Sequence, residues 1–151
     1  MALTKQIPPS GIDLAAFAGE HLLYEAQMLV WARDTQPRTT MGTFDWNAVI
    51  EGYVLHFRNL VEFFYPRDRP HASDVIAAYY APSWTGTVPK IMLDARNQAD
   101  KQLAHLSSDR MEKRGWDLGK LSCLLRMVIK SFFDLKPSMI PEETAAALRN
   151  I

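Results

Sequence analysis

Two polar side chains interrupt the apolar side of the first predicted helix. At about 100° per residue, His21 and Glu25 fall one turn apart in the middle of that side. A carboxylate there loses hydration, so it needs a hydrogen-bonding partner or a proton. Three interpretations stay open: Glu25 reaches solvent at a wider polar edge, it forms a core pair with a tyrosine or arginine, or it lines a polar cavity.

A metal or a small molecule would be one use of such a cavity. His56 and His105 lie on the second and third predicted helices, and helical bundles assemble metal sites from facing helices in this way. Di-iron bundles, however, use several carboxylates and Glu-x-x-His pairs, and this chain has no Glu-x-x-His. We therefore predict no metal and no cofactor, and we keep a site formed by His21, Glu25 and His56 as an alternative.

A second group of candidate residues lies on the third predicted helix, namely Arg96, Asn97, Lys101 and His105. His105 falls about 120° from the centre of the apolar side, on the flank of the helix. A histidine in that position is usually exposed or hydrogen-bonded to a neighbouring helix. Because its pKa lies near neutral pH, it is also suited to general acid–base chemistry beside a cation.

Composition predicts one globular domain over residues 1–151. Hydrophobic residues make up 48% and charged residues 23%, which argues against disorder. The 17 basic and 17 acidic residues give zero formal net charge, so general charge attraction to nucleic acid is not expected. No P-loop, Gly-x-Gly-x-x-Gly, Cys-x-x-Cys or Gly-x-Ser-x-Gly motif is present, which argues against the corresponding enzyme classes.

The single cysteine, Cys123, cannot form an intramolecular disulfide, which suits a reducing compartment. Its apolar neighbours predict a small buried core residue. No signal-peptide pattern and no membrane-length apolar run are found, so we predict a cytoplasmic protein without membrane association.

Hydrophobic periodicity predicts an all-α fold, an antiparallel up-and-down four-helix bundle with an extra short C-terminal helix. The predicted helices cover about 12–34, 44–65, 88–107, 117–135 and 141–149, with caps at Asp13, Thr43 and Thr87. On the second helix, a further face with Gly52, His56, Asn59 and Phe63 suggests a close helix approach at the glycine and surplus surface for a homodimer.

A long connection, residues 66–88, joins the second and third helices, with a short helix predicted at about 74–80. Its basic and aromatic residues favour either a cover packed over the bundle end or a lid that contacts a ligand. These residues are Arg67, Arg69, His71, Tyr79, Tyr80 and Trp84.

The order of these segments resembles the HEPN superfamily of small bacterial helical proteins, especially its uncharacterised and abortive-infection-type members. The resemblance spans about residues 20–135. It is carried by Leu55-His56-Phe57-Arg58-Asn59-Leu60, Phe63-Phe64-Tyr65, the aromatic loop, Asn97, Lys101-Gln102-Leu103-Ala104-His105-Leu106 and Arg110. It implies a homodimeric bundle. Active members are metal-independent ribonucleases whose Arg and His meet at the dimer cleft, and others bind nucleotides or partner proteins.

The spacing within this chain departs from the catalytic pattern of that family. The family places four to six residues between its Arg and His, whereas eight separate Arg96 from His105. Nine helical positions turn about 900°, so Arg96 would face away from His105, and Lys101 becomes the better local cation.

We therefore predict a non-catalytic interaction or nucleotide- or RNA-binding module, with His56, Arg58, Asn59 and Arg110 as candidate ligand-binding residues. The alternative is a ribonuclease of a toxin or phage-defence system, with an antitoxin-like partner. In that alternative His105 would be the general base or acid for a ribose 2′-hydroxyl, and Arg96 or Lys101 would stabilise the transition state.

Overall fold

The computed structural model describes residues 7–68, 70–104 and 115–151, and within these ranges the chain is helical and contains no β-strand. Helix α1 (residues 14–35) consists of Leu14–Phe17, a π turn at Ala18–Leu22, and Leu23–Thr35. The later helices are α2 at Phe44–Phe64, α3 at Lys90–Ala99 with a π turn at Asp100–Ala104, α4 at Leu118–Asp134, and α5 at Glu142–Arg149. The predicted all-α class is confirmed.

Side-chain caps explain where three of the helices begin. The carboxylate of Asp13 accepts hydrogen bonds from the amides of Ala15 and Ala16, at 3.0 and 3.1 Å. Thr43 accepts from the amide of Trp46 at 3.2 Å, and Asp117 accepts from the amide of Lys120 at 2.9 Å. Each cap satisfies amides that have no partner inside the helix. The predicted cap at Thr87 is wrong, because α3 begins three residues later, after Pro89.

Helix α2 lies at the centre of the packing, in contact with α1, α3 and α4, while α5 packs on α1 and α4. From Val49 to Phe64, α2 buries residues of both its apolar stripe and its second face within this chain. Its buried residues are Val49, Ile50, Tyr53, Val54, His56, Phe57, Leu60, Val61, Phe63 and Phe64. The aromatic centre joins α2 to α4, with the rings of Phe64 and Phe132 at 5.3 Å.

The π turn in α1 changes which side chains face inward. A π turn departs from the 100° step by which His21 was predicted in the middle of the apolar side. His21 lies in the π turn and is exposed, with its ring 4.8 Å from that of Phe17. At the start of the turn, the carbonyl of Ala18 also accepts a hydrogen bond from the buried hydroxyl of Thr144 at 3.1 Å, which docks α5.

The connection between α2 and α3 packs over the end of the core, as the cover interpretation predicts. Tyr80 is buried and donates its hydroxyl hydrogen to the carbonyl of Leu14 at 2.8 Å. The indole of Trp84 donates to the carbonyl of Phe64 at 2.7 Å. The short helix predicted at 74–80 is reduced to a 3-10 turn at Ala77–Tyr79.

Several predictions about individual side chains are wrong. Cys123 is exposed, because the buried face of α4 is formed by Leu121, Leu125 and their neighbours one turn apart. A Cβ atom built on Gly52 would meet nothing within 4 Å, so this glycine marks no close helix approach. The 100° step also predicts Tyr24 on the apolar side of α1, but this residue is 52% exposed.

In the ranges that the structure describes, no helix combines the length and the apolar character needed to cross a membrane.

Candidate functional site: a polar cavity beside Glu25

Glu25 on α1 is held by two side chains of α2. Its Oε2 atom accepts a hydrogen bond from Nδ1 of His56 at 2.7 Å. The amide nitrogen of Asn59 lies 3.2 Å from both carboxylate oxygens. The side chain of Glu25 is 23% exposed, so the carboxylate is mostly buried but still reachable from outside. The core-pair and polar-cavity interpretations of Glu25 therefore both hold, with a histidine in place of the expected tyrosine or arginine.

The imidazole of His56 is buried, and its protonation is constrained by this contact. Because a carboxylate can only accept, Nδ1 of His56 must carry the hydrogen that Glu25 receives. The ring also packs edge-on against Tyr24, with centroids 5.5 Å apart. His56 is thus oriented by α1 from two sides.

A cluster of charged residues continues from Asn59 toward α3. Arg58 donates through Nη1 to Oδ1 of Asn59 at 3.3 Å and through Nε to Oδ1 of Asp100 at 2.5 Å. Arg67 donates to Glu62 at 2.8 Å and also to the other carboxylate oxygen of Asp100. We call Arg58, Glu62, Arg67 and Asp100 the ionic cluster. It links α2, the connection and the π turn after α3.

Burial and hydrogen bonding act in opposite directions on Asp100. Burial alone raises the pKa of this carboxyl group, but hydrogen bonds from Arg67 and Arg58 lower it, and the net pKa lies below its ordinary value. The hydrogen bonds to Asp100 and Glu62 raise the pKa of Arg67. Asp100 and Arg67 therefore stay ionised at neutral pH, and both arginines of the cluster are already paired with carboxylates.

A cavity of about 420 Å³ opens between α1, α2 and the connection. Its size falls in the range of small-molecule sites. Polar and aromatic side chains share the lining: Phe17, His21, Glu25, Arg58, Asn59, Glu62, Phe63, Arg67, His71 and Asp74 are among them. Glu25 shares this lining with the carboxylates of Glu62 and Asp74, and because a carboxylate offers about four acceptor positions, acceptor capacity remains at the cavity wall.

The structure brings some of the predicted site residues together. Arg58 and Asn59 line the cavity with His21 and Glu25, and His56 lies behind Glu25. Among the described residues, no three His, Cys, Asp or Glu side chains are grouped to hold a metal ion, so His21, Glu25 and His56 form no ligand set.

Three of the residues predicted for catalysis, Arg96, Asn97 and Lys101, are not part of the lining of this cavity. Arg96 is buried and donates from Nη1 to the carbonyl of Tyr65 at 3.1 Å. Asn97 and Lys101 are exposed. His105 and Arg110 lie outside the described residues, as does Arg69 of the connection.

Sequence reasoning missed Glu62 and Asp100. Glu62 had a local signal, because it lies four residues after Arg58 on one helix face and forms an ion pair with it at 3.5 Å. Asp100 had none, since 42 residues separate it from Arg58.

No protein-family model matches this chain, and no curated protein or solved structure matches it either.

Proposed function

We propose that this protein is a non-catalytic binding module whose small-molecule ligand occupies the cavity beside Glu25. The observation that supports this proposal most directly is that the Glu25 carboxylate is held by His56 and Asn59 and still borders the open cavity. A rigid carboxylate at the wall of a cavity is a strong acceptor for a ligand that presents N–H donors. The arginines of the ionic cluster are paired with carboxylates, so they shape the cavity more than they attract anions.

The ligand class follows from that acceptor. Two adjacent N–H groups, as in an amidine, a guanidinium or the edge of a guanine base, match the two oxygens of a carboxylate. Flat rings of such ligands would find apolar contact with Phe17 and Phe63 in the lining. A nucleobase is therefore compatible with the nucleotide-binding prediction.

Further elements of the proposal concern family and assembly. HEPN-like ancestry and an up-and-down four-helix arrangement are supported by the helical class and by the sequence segments that carry the resemblance. A cytoplasmic location is supported by the single cysteine, which suits a reducing compartment. The proposed homodimer is supported by the resemblance alone. The surplus surface predicted on the second face of α2 does not support it, because His56 and Phe63 are buried within this chain.

Binding is favoured over ribonuclease chemistry by the position of Arg96. The transition-state cation of a ribonuclease must face a cleft wide enough for an RNA strand, but only 8% of Arg96 is exposed and its Nη1 is bonded to the carbonyl of Tyr65. The ribonuclease alternative, with an antitoxin-like partner, would then need exposed Lys101 as its cation and is the weaker proposal.

The test uses benzamidine and guanosine as probes and follows the melting temperature and calorimetric binding. We expect one or both to bind the wild-type protein and to lose about tenfold or more in affinity in Glu25→Gln, which keeps the shape and removes the charge. Glu51→Gln is the matched control, because Glu51 is exposed on α2. Equal binding by Glu25→Gln, or no binding of either probe to the wild type, would contradict the proposal.

A further inference from the structure

A second and larger groove, of about 860 Å³, lies between the connection and α3. It shares only Pro66 and Arg67 with the cavity beside Glu25. Its lining combines aromatic rings with cations and one carboxylate: Phe64, Tyr65, Tyr79, Trp84, Arg67, Arg96 and Asp68 contribute. The proposed function does not use this groove.

Arg96 is an unusual residue in the groove wall. Only 8% of it is exposed, and its single hydrogen bond in the described ranges is the one from Nη1 to the carbonyl of Tyr65. Its Nε atom is fully buried and has no acceptor among the residues that the structure describes. None of the ion pairs in those ranges includes Arg96.

A buried guanidinium without a direct ion pair is costly. Burial lowers the pKa of Arg96 and the neighbouring charge of Arg67 lowers it further, while the carboxylates of Glu62 and Asp100 act in the opposite direction. An anion bound in the groove would relieve this cost, because Arg96 would then gain a charged acceptor in a poorly hydrated place.

Aromatic rings supply the remaining surface. The indole nitrogen of Trp84 is already bonded to the carbonyl of Phe64, so what its ring offers to the groove is apolar. The rings of Trp84 and Tyr65 contact each other at 5.8 Å, and half-buried Tyr79 adds a third ring. Gly86 lets the chain approach them, since a Cβ atom there would lie 3.0 Å from Cε1 of Tyr65.

We propose that this groove binds a small aromatic anion, with a planar ring against Tyr79 and Trp84 and a carboxylate or phosphate on Arg96. Flat rings stack on aromatic faces, and a guanidinium binds carboxylate and phosphate through paired N–H groups. Ring and charge together define the ligand class.

The test measures calorimetric binding of indole-3-acetate and adenosine monophosphate, with tryptamine as a ring of opposite charge. We expect at least one anion to bind and tryptamine to bind at least about tenfold more weakly. Binding of indole-3-acetate alone identifies a carboxylate site, and binding of adenosine monophosphate alone identifies a phosphate site. Failure of both anions, or equal affinity for tryptamine, would overturn the proposal.

Variants locate the site. Arg96→Met keeps an unbranched side chain in the core and removes the cation, so the affinity for the anion should fall about tenfold or more. Arg38→Met, at an exposed arginine outside the groove, should bind as the wild type does. A folded Arg96→Met protein with unchanged affinity would overturn the proposal.

A measurement on the wild-type protein does not depend on the folding of that variant. The indole N–H resonance of Trp84, assigned with Trp84→Phe, should shift on addition of the binding anion more than the other three indole resonances. An unshifted Trp84 resonance at saturating anion would equally overturn the proposal.

Discussion

The imidazole Nδ1 of His56 lies 2.7 Å from the carboxylate Oε2 of Glu25, a contact that joins helices α1 and α2 across 31 residues of sequence. Neither group would be stable in an apolar interface by itself. Together with Asn59, they form a hydrogen-bonded set that orients the carboxylate at the cavity wall.

Removal of that carboxylate should destabilise the fold. In Glu25→Ala the buried Nδ1 of His56 loses its acceptor, and the free energy of unfolding should fall by about 1–3 kcal/mol. Urea denaturation followed by circular dichroism measures the change. Glu51→Ala, at an exposed position of α2, is the control and should change the free energy by less than about 0.5 kcal/mol. A similar small effect for Glu25→Ala would show that the contact contributes little.

Gly52→Ala should stabilise the protein. The glycine lies inside α2, and an added Cβ atom would meet nothing within 4 Å, so no packing is lost. Alanine has the higher helix propensity, and we expect a gain of about 0.5–1 kcal/mol in the free energy of unfolding. Urea denaturation checks this, and a loss of stability would restore the idea of a close approach at Gly52.

The ionic cluster should make stability fall in acid. The pKa of Asp100 is lower in the folded protein than in the unfolded chain, so its contribution is present above the unfolded value of about 4. That contribution is lost as the pH falls through the lower, folded pKa. Asp100→Asn should cost about 1–3 kcal/mol at pH near 7.

The pH dependence separates this charge effect from a packing effect. Asp100→Asn and the wild type should approach each other in stability as Asp100 becomes protonated in both states. Denaturant titrations at neutral and acidic pH measure the convergence. A constant difference between the two proteins at every pH would indicate lost packing alone.

Tyr53 should make the protein sensitive to alkali. Burial raises the pKa of its hydroxyl to about 12, although the hydrogen bond with Ser122 at 2.6 Å acts the other way. The stabilisation is complete below the ordinary value of about 10 and is lost as the pH rises toward 12. Tyr53→Phe should lose less of its neutral-pH stability at alkaline pH than the wild-type protein loses. Alkaline unfolding followed by circular dichroism measures this difference. An identical alkaline transition in both proteins would exclude Tyr53 as its cause.

Much of the helical framework was predictable because it depends on residues that lie close together in the sequence. The apolar stripe of α2 and the caps at Asp13 and Thr43 are set by residues within a few positions of each other. The same reasoning failed at His21, where a π turn changes the step per residue, and at Cys123, where apolar neighbours in sequence lie on another face.

The sequence by itself determined the helices, the long connection and the presence of a polar group on the inner side of α1. Only the tertiary structure decided what those polar groups contact: Glu25 meets His56, Asp100 meets Arg58 and Arg67, and Arg96 is buried beside Tyr65 without an ion pair to any residue that the structure describes. The physical reason is the sequence separation over which each kind of interaction acts. Periodicity and capping act over one or two helical turns, whereas a buried charge selects its partners from residues that packing brings together from 31 to 42 positions away.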